Sequence, residues 1–461
     1  MHNPLNSVAV GSLQHARRPS NRRRWLAELA VLLAFPTISS LPPHRGDIAA
    51  AARWLAAHLG RMGMQRARVL PGLGRGAPSV YAEWLGAPGK PTLLLYGHFD
   101  VQPPGALSEW RTPPFRAVVA GQRLYARGAS DDKGQLFIHL KAIECYLATI
   151  GRLPLNIKVW LEGEEEIGSP HLSAFLGHEA GRLHADAVLI SDTEMPWPGQ
   201  PAIITGLRGN VSLELELRGS PRDLHSGRYG GATPNPIHAL GTIIAGLHAR
   251  QDRVAIPGFY TSVRELAREA RRALGATGPT DEHFLDALRL PAGCGEPGYT
   301  LFERTTIRPA LNVTQIVAGN PGVIPGRATA QINVRLVPDQ EPATIVELVR
   351  RRIAELTPPS ARAVLRVRGA SAPVIIPTDH PIIGAAQRAV EVIWEQPPLM
   401  TRSGGSIPLV GQFRLRLGVP VVLLGFGLPD DHIHAANESL YLPNFFRGVE
   451  TVIRLFAEYA R

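Results

Sequence analysis

Apolar positions along the chain follow two different periods. In the first 200 residues, short apolar runs alternate with stretches at helical spacing. Ile48, Ala51, Leu55 and Leu59 predict a helix over about 47–62, and Leu136, Leu140, Ile143 and Leu147 predict another over about 133–148. Thr92-Leu-Leu-Leu-Tyr96, Ile157-Lys-Val-Trp-Leu161 and Ala187-Val-Leu-Ile190 predict strands, and Val421-Val-Leu-Leu424 predicts one near the end of the chain. Strand–helix alternation of this kind predicts an α/β domain, a mostly parallel sheet flanked by helices. Between 209 and 372 the period becomes two: Val211 to Leu217 and Ala328 to Leu336 alternate apolar and polar residues, which suits strands with one covered face. Helices over about 236–248 and 342–356 accompany them. The expected organisation is therefore an α/β domain in two parts, residues 21–208 and 373–461, interrupted by a small α+β domain at 209–372. Residues 250–308 are rich in Gly and Pro and read as loops and short helices. Residues 1–20 are polar and predict a disordered tail.

The run from Trp25 to Ile38 resembles a signal peptide, with a basic lead and then Leu-Ala-Val-Leu-Leu-Ala-Phe. Glu28 interrupts it, and Leu26, Leu29, Ala30 and Leu33 fall at helical spacing, so it is read as an amphipathic helix. It is too short to span a bilayer, and no membrane association is expected. Hydrophobic residues make up 44% of the chain and charged residues 19%, an ordinary globular balance. The net charge of +10 comes partly from arginines 17, 18, 22, 23 and 24. The remaining arginines are scattered and no nucleic-acid-binding motif is present, so nucleic acid is not an expected partner. Two cysteines, Cys145 and Cys294, are too few for a disulfide framework and point to a reducing, cytoplasmic location.

Placed on this scheme, the acidic residues and histidines gather. His98 and Asp100 follow the strand 92–96, Glu164, Glu165 and Glu166 follow 157–161, and Asp192 follows 187–190. His434 lies in the loop after 421–424, and Asp131 and Asp132 precede the helix at 133. Ligands of open α/β sheets bind beyond the carboxyl ends of the strands, so these residues converge on one rim. Each has an ordinary reading when taken singly: a surface loop for His-x-Asp, a solvated turn for the glutamates, N-capping for Asp-Asp, a role kept in part for Asp132. Together they point to metal. Imidazole and carboxylate suit zinc, manganese or cobalt rather than calcium, and this many ligands exceeds the needs of one ion. They fit a pair about 3.5–4 Å apart, bridged by a carboxylate, with a non-ligand carboxylate as general base.

Several stretches carry a family resemblance. They are Tyr96-Gly-His-Phe-Asp-Val-Gln-Pro103, Arg127-Gly-Ala-Ser-Asp-Asp-Lys-Gly134 and Glu162-Gly-Glu-Glu-Glu-Ile-Gly-Ser169, with Ile190-Ser-Asp-Thr193, Asp223-Leu-His-Ser-Gly227, Arg402-Ser-Gly-Gly-Ser-Ile-Pro408 and His434-Ala-Ala-Asn-Glu438. Over about residues 25–461 the chain resembles the dinuclear zinc peptidases that include aminoacylase, carnosinase, glutamate carboxypeptidase and the acetylornithine and succinyl-diaminopimelate deacylases. Leu224 to Gly231 and Gly404 to Pro408 resemble its dipeptidase branch. The resemblance implies a catalytic domain split around an inserted lid that also dimerises, and two divalent ions per subunit, zinc with manganese or cobalt as alternatives. It implies His98, Asp131 and Asp192 as ligands of one ion and Asp131, Glu166 and His434 as ligands of the other. Glu165 matches the general base, Asp100 the residue orienting His98, and His225 the lid histidine that stabilises the tetrahedral intermediate. Arg335 and Ser406 match positions that grip the substrate. Three consecutive glutamates leave the register of base and ligand open by one residue.

The expected activity is hydrolysis of dipeptides or similar small peptides by a homodimer. Hydrolysis of N-acyl amino acids, or carboxypeptidase action, is the alternative within the same chemistry. A silent scaffold is a third reading, disfavoured because ligands, base and lid histidine are all present.

Overall fold

The computed structural model describes residues 4–250 and 253–461. The chain divides into two compact units, one of residues 1–205, 376–400 and 412–461 and the other of residues 206–375 and 401–411.

The first unit is built on a sheet whose strands run in the order Gln65–Leu70, Ser79–Trp84, Asn156–Glu162, Thr92–His98, Ala187–Ile190, Val421–Leu423, Ala202–Leu207. Its centre is parallel: Thr92–His98 pairs in parallel with Asn156–Glu162 and with Ala187–Ile190, which pairs in parallel with Val421–Leu423. Their carboxyl ends therefore lie at one edge, where the sequence places its acids and histidines. Helix Lys133–Ile150 is buried continuously from Lys133 to Tyr146, so its apolar stripe is only part of what it covers. Helix Arg45–Arg61 buries Ile48, Ala51, Leu55 and Leu59 as its spacing predicts.

The expectation of a disordered residue 1–20 tail fails for the described part. Pro4–Arg17 is a helix and Pro19–Leu33 a second. The first packs on Lys133–Ile150 and on the C-terminal helix Leu442–Tyr459, and Arg17 and Arg22 both pair with Glu450 at 2.8 and 3.1 Å. Over residues 9–17 its buried positions are Ala9, Ser12 and Ala16. They recur at helical spacing but are too small to register as a hydrophobic stripe. In the second helix Trp25, Leu29, Leu32 and Leu33 are buried, a face turned slightly from the one expected.

The second unit holds an antiparallel sheet in the order Ala310–Ala318, Arg327–Leu336, Gly209–Arg218, Arg362–Ser371. Helices Pro236–Leu247 and Pro342–Leu356 cover one face, where Val211, Leu213, Leu215, Leu217, Ile332 and Val334 meet Ile243, Ile345, Val349 and Ile353. The two edge strands carry no clean alternation and went unread in the sequence; Ile316 and Val317 on the first are both more than half exposed. Residues 253–308 contribute three short helices, Arg268–Gly275, Asp281–Leu288 and Leu301–Thr306.

Candidate active site

Among the described residues, three groups of side chains in the first unit bring ligand atoms within 4.8 Å of one another: Glu28, His58 and Glu144, and, at the strand ends, the two overlapping groups His98, Asp131 and Asp192, and Asp131, Glu166 and His434. Asp131 belongs to both, and its oxygens divide between them. Oδ1 lies 3.0 Å from His98 Nε2, and Oδ2 lies 2.8 Å from His434 Nε2. Asp192 Oδ2 is 3.8 Å from His98 Nε2, and Glu166 Oε2 is 3.1 Å from His434 Nε2.

Strand ends and tight turns create this convergence. His98 closes its strand, which passes close to the start of helix Lys133–Ile150. A Cβ on Gly97 would meet Leu136 Cβ at 2.6 Å and Asp132 Oδ2 at 2.8 Å, so only glycine fits there. The peptide bond between Asp131 and Asp132 is cis, and His434 sits at φ +62°.

Asp132 corrects the capping expectation. Its side chain makes no bond to the helix that follows. Instead Oδ2 accepts from the His98 backbone N–H at 3.1 Å, holding the end of the strand, and burial pushes its carboxyl well above the usual range.

The three glutamates separate by their partners. Glu164 faces away from the cluster, accepting from the backbone N–H groups of Ala77 and His171 at 2.9 and 3.1 Å. Glu166 accepts from Gln102 N–H at 3.1 Å while facing His434. The Glu165 carboxylate has no hydrogen-bond donor among the described residues; burial raises its pKa well above the usual range, and Asp192, Asp100 and Asp131 add to that against the pull of His98. Asp100 has a second use the sequence did not reveal. Its oxygens accept from the N–H groups of Glu165 and Glu166 at 3.1 and 3.0 Å, so it fixes the glutamate turn as well as lying 3.5 Å from His98 Nδ1.

Glu438 was likewise missed as a site residue, although it ends one of the motif stretches. Buried, it accepts from Arg127 Nη1 at 2.7 Å and from the N–H groups of Gly128, Ser130 and Asp131 at 2.8, 2.9 and 3.1 Å. One carboxylate thereby sets the loop that presents Asp131.

The electrostatics fit divalent cations. Burial raises Asp192 to about 7, with Asp131 adding to the effect. His434 is raised to about 10 by its bonds to Asp131 and Glu166. Burial opposes protonation of His98, but Asp100 and Asp131 outweigh it and raise its pKa well above normal. The three carboxylates of the two groups, Asp131, Asp192 and Glu166, repel one another unless positive charge enters, and nitrogen with carboxylate oxygen is a donor set for zinc or its neighbours.

The other expected site residues lie in the second unit. Arg335 Nη1 donates to Ser406 Oγ at 2.9 Å, and Ser406 donates to the Arg208 carbonyl at 2.6 Å. His225 is exposed, on a two-residue ribbon paired with Val323–Ile324.

Residues 94–458 match peptidase family M20/M25/M40. The chain is 32% identical over 395 residues to the Cys-Gly metallodipeptidase of Schizosaccharomyces pombe, covering 83% of this chain and 82% of that protein. The crystal structure of human carnosine dipeptidase 1 has a TM-score of 0.87 and 28% identity, covering 99% of both chains. An M20 family metallo-carboxypeptidase from Sulfolobus solfataricus has a TM-score of 0.83 and 30% identity, covering 95% of this chain and 99% of that one. With sequence and fold matched over most of its length, the chain belongs to peptidase family M20/M25/M40.

Proposed function

We propose that this protein is a dipeptidase that hydrolyses small peptides bearing a free C-terminal carboxylate. The observation that carries the reading is the division of the Asp131 carboxylate between two ligand groups, joined to the similarity with the fission-yeast and human dipeptidases. In this reading His98, Asp131 and Asp192 hold one divalent ion and Asp131, Glu166 and His434 the other, with zinc the leading choice and manganese or cobalt as alternatives. Such ions supply Lewis acidity, polarising the scissile carbonyl and acidifying the attacking water.

The chain's own groups do the rest. Glu165, whose carboxylate has no donor among the described residues, takes the water's proton and passes it to the leaving amine. Asp100 keeps His98 oriented and the glutamate turn in place. Arg335 and Ser406 grip the substrate's carboxylate, for which a guanidinium fork is well suited, and His225 donates to the developing oxyanion. The second unit acts as lid and as the surface of a homodimer, a reading supported by the open edge strand with Ile316 and Val317 exposed. Two free cysteines, one of them exposed, favour the cytoplasm as its location.

The similarity to a metallo-carboxypeptidase favours a second reading, carboxypeptidase or N-acyl-amino-acid deacylase action with the same groups. A panel of dipeptides, their C-terminal amides, N-acetyl amino acids and longer peptides, assayed with zinc, manganese and cobalt in turn, separates the two. Dipeptides are expected to be cleaved fastest, by protein carrying two ions per chain. Faster cleavage of N-acetyl amino acids or of longer peptides would support the second reading, and full activity with one ion or none would sink both.

A further inference from the structure

The segment 253–308 has no part in the metal groups, yet it is tied closely to the residues assigned to the substrate's carboxylate. The link is Arg208, which the sequence did not single out. Its Nε donates to the Gly404 carbonyl at 3.0 Å, and its Nη1 donates to the carbonyls of Arg304 and Arg308 at 3.4 and 3.3 Å. Its own carbonyl accepts from Ser406 Oγ. One arginine therefore spans the end of helix Leu301–Thr306, the Gly404 peptide and Ser406, whose hydroxyl in turn meets Arg335.

The contact at Gly404 is close. A Cβ there would lie 2.3 Å from the Thr305 carbonyl oxygen and 3.2 Å from Arg208 Nη2. A second tie holds the middle of the same segment: Thr277 Oγ1 lies 2.7 Å from Thr401 Oγ1. The insertion is itself stiff where it bears on Arg208. Buried Arg308 meets both oxygens of Glu296 at 2.8 Å and Glu265 at 2.8 Å, and Arg271 meets both oxygens of Glu303 at 2.7 and 2.8 Å.

Arg208 has no carboxylate partner among the described residues; burial, with Arg335 nearby, lowers its pKa to about 10. Its Nε and Nη1 donate to carbonyls on two sides, a use that needs the planar fork of a guanidinium rather than a point charge.

We propose that residues 253–308 form a brace acting through Arg208, which is a positioning residue for Ser406 and Arg335 and so sets the preference for substrates with a free C-terminal carboxylate. The inference rests on the assignment of Arg335 and Ser406 given above. Ser406 gives its one proton to the Arg208 carbonyl and accepts from Arg335 Nη1, so it aims the Arg335 guanidinium. Such a grip discriminates only when that donor is held in place, because a loosened guanidinium pays the ordering cost on binding.

The test compares an alanyl-glycine dipeptide with its C-terminal amide, using the full-length metal-loaded enzyme. Wild-type protein is expected to prefer the free acid. Arg208→Gln should raise KM for the free acid by about tenfold or more, the scale of a lost charge-assisted bond. It should leave KM for the amide and the metal content nearly unchanged, so the preference shrinks by the same factor. Arg208→Lys should behave like Arg208→Gln, and Thr277→Val should shift the preference in the same direction by a smaller factor. If Arg208→Lys or Arg208→Gln keeps the wild-type preference, the brace is refuted. Should the arginine variants fail to fold, unaltered discrimination by Thr277→Val refutes it as well. Wild-type enzyme that cleaves acid and amide equally would instead overturn the carboxylate assignment itself, and the brace with it.

Discussion

Three adjacent glutamates have three different sets of partners here because the turn that carries them is pinned from both sides. Glu164 ties the turn to Ala77 and His171, and Asp100 accepts from the next two N–H groups. Of the three, only the Glu165 carboxylate has no donor among the described residues, which supports its proposed role as the base. Glu165→Gln is therefore expected to retain both metal ions and lose about 10²–10⁴ in kcat, read by turnover and by metal analysis of the same sample. Glu164→Gln should keep most of the turnover and lower the melting temperature; a dead Glu164→Gln beside an active Glu165→Gln would move the base by one residue. A second residue gives a pH prediction. His139 is buried with Nε2 2.8 Å from Ser191 Oγ, and Ser191 donates to the Leu424 carbonyl, so the imidazole donates from Nε2 and stays neutral. Burial lowers its pKa to about 3 from 6.5. Between those values the unfolded chain binds a proton that the folded chain refuses, so folding stability falls as pH drops from 6.5 toward 3 and is unaffected by this group above 6.5. His139→Gln should show a shallower loss of melting temperature between pH 6.5 and 4. Identical slopes in variant and wild type would mean that His139 is not buried neutral.

At the scale of elements, the sequence revealed what large apolar side chains announce. The parallel strands, the helix at 133 and the period-two strands at 209 and 327 were all legible, and with them the rim on which the metal groups lie. What escaped notice had specific causes. Helix Pro4–Arg17 buries alanine and serine, which leave little trace in hydrophobic periodicity. Strand Ala310–Ala318 is exposed along much of its length, so no alternation marks it. The supporting roles of Asp132, Glu438 and Arg208 depend on backbone groups, whose positions no residue pattern records. The segment after helix Pro19–Leu33 is one such support. Lys133 Nζ donates to the Leu32 and Phe35 carbonyls at 3.3 and 2.8 Å. Thr37 brackets the loop after His98, its Oγ1 donating to the Phe99 carbonyl at 2.6 Å and its carbonyl accepting from Val101 N–H at 2.9 Å. Thr37→Val keeps the shape and leaves the Phe99 carbonyl without that partner, at a cost of about 1–3 kcal/mol. The expected result is a lower melting temperature together with weaker metal retention against a chelator. Loss of stability with wild-type metal retention would limit Thr37 to the fold.

At the scale of the whole molecule, the candidate residues are divided between two units, with metal ligands and base in the first and His225, Arg335 and Ser406 in the second. His225 is the residue for which the division has the sharpest consequence. It is exposed on its ribbon, available to a site other than one formed by its immediate neighbours. In the proposed homodimer it serves the partner subunit's metal groups, donating to the oxyanion as water attacks. Loss of one such donor costs about 10²–10³ in turnover, so His225→Ala should be nearly inactive with full metal content. Glu165→Gln should be nearly inactive for a different reason. In a mixed dimer of the two variants, one of the two sites combines an intact Glu165 from one chain with an intact His225 from the other. Random reassortment places half of the dimers in the mixed state, each with one such site, so activity should return to about a quarter of the wild-type value per chain, as measured after unfolding and refolding the two variants together. Mixed dimers that form, as shown by differently tagged chains co-purifying, yet stay inactive would mean that His225 serves its own subunit or has no part in the reaction.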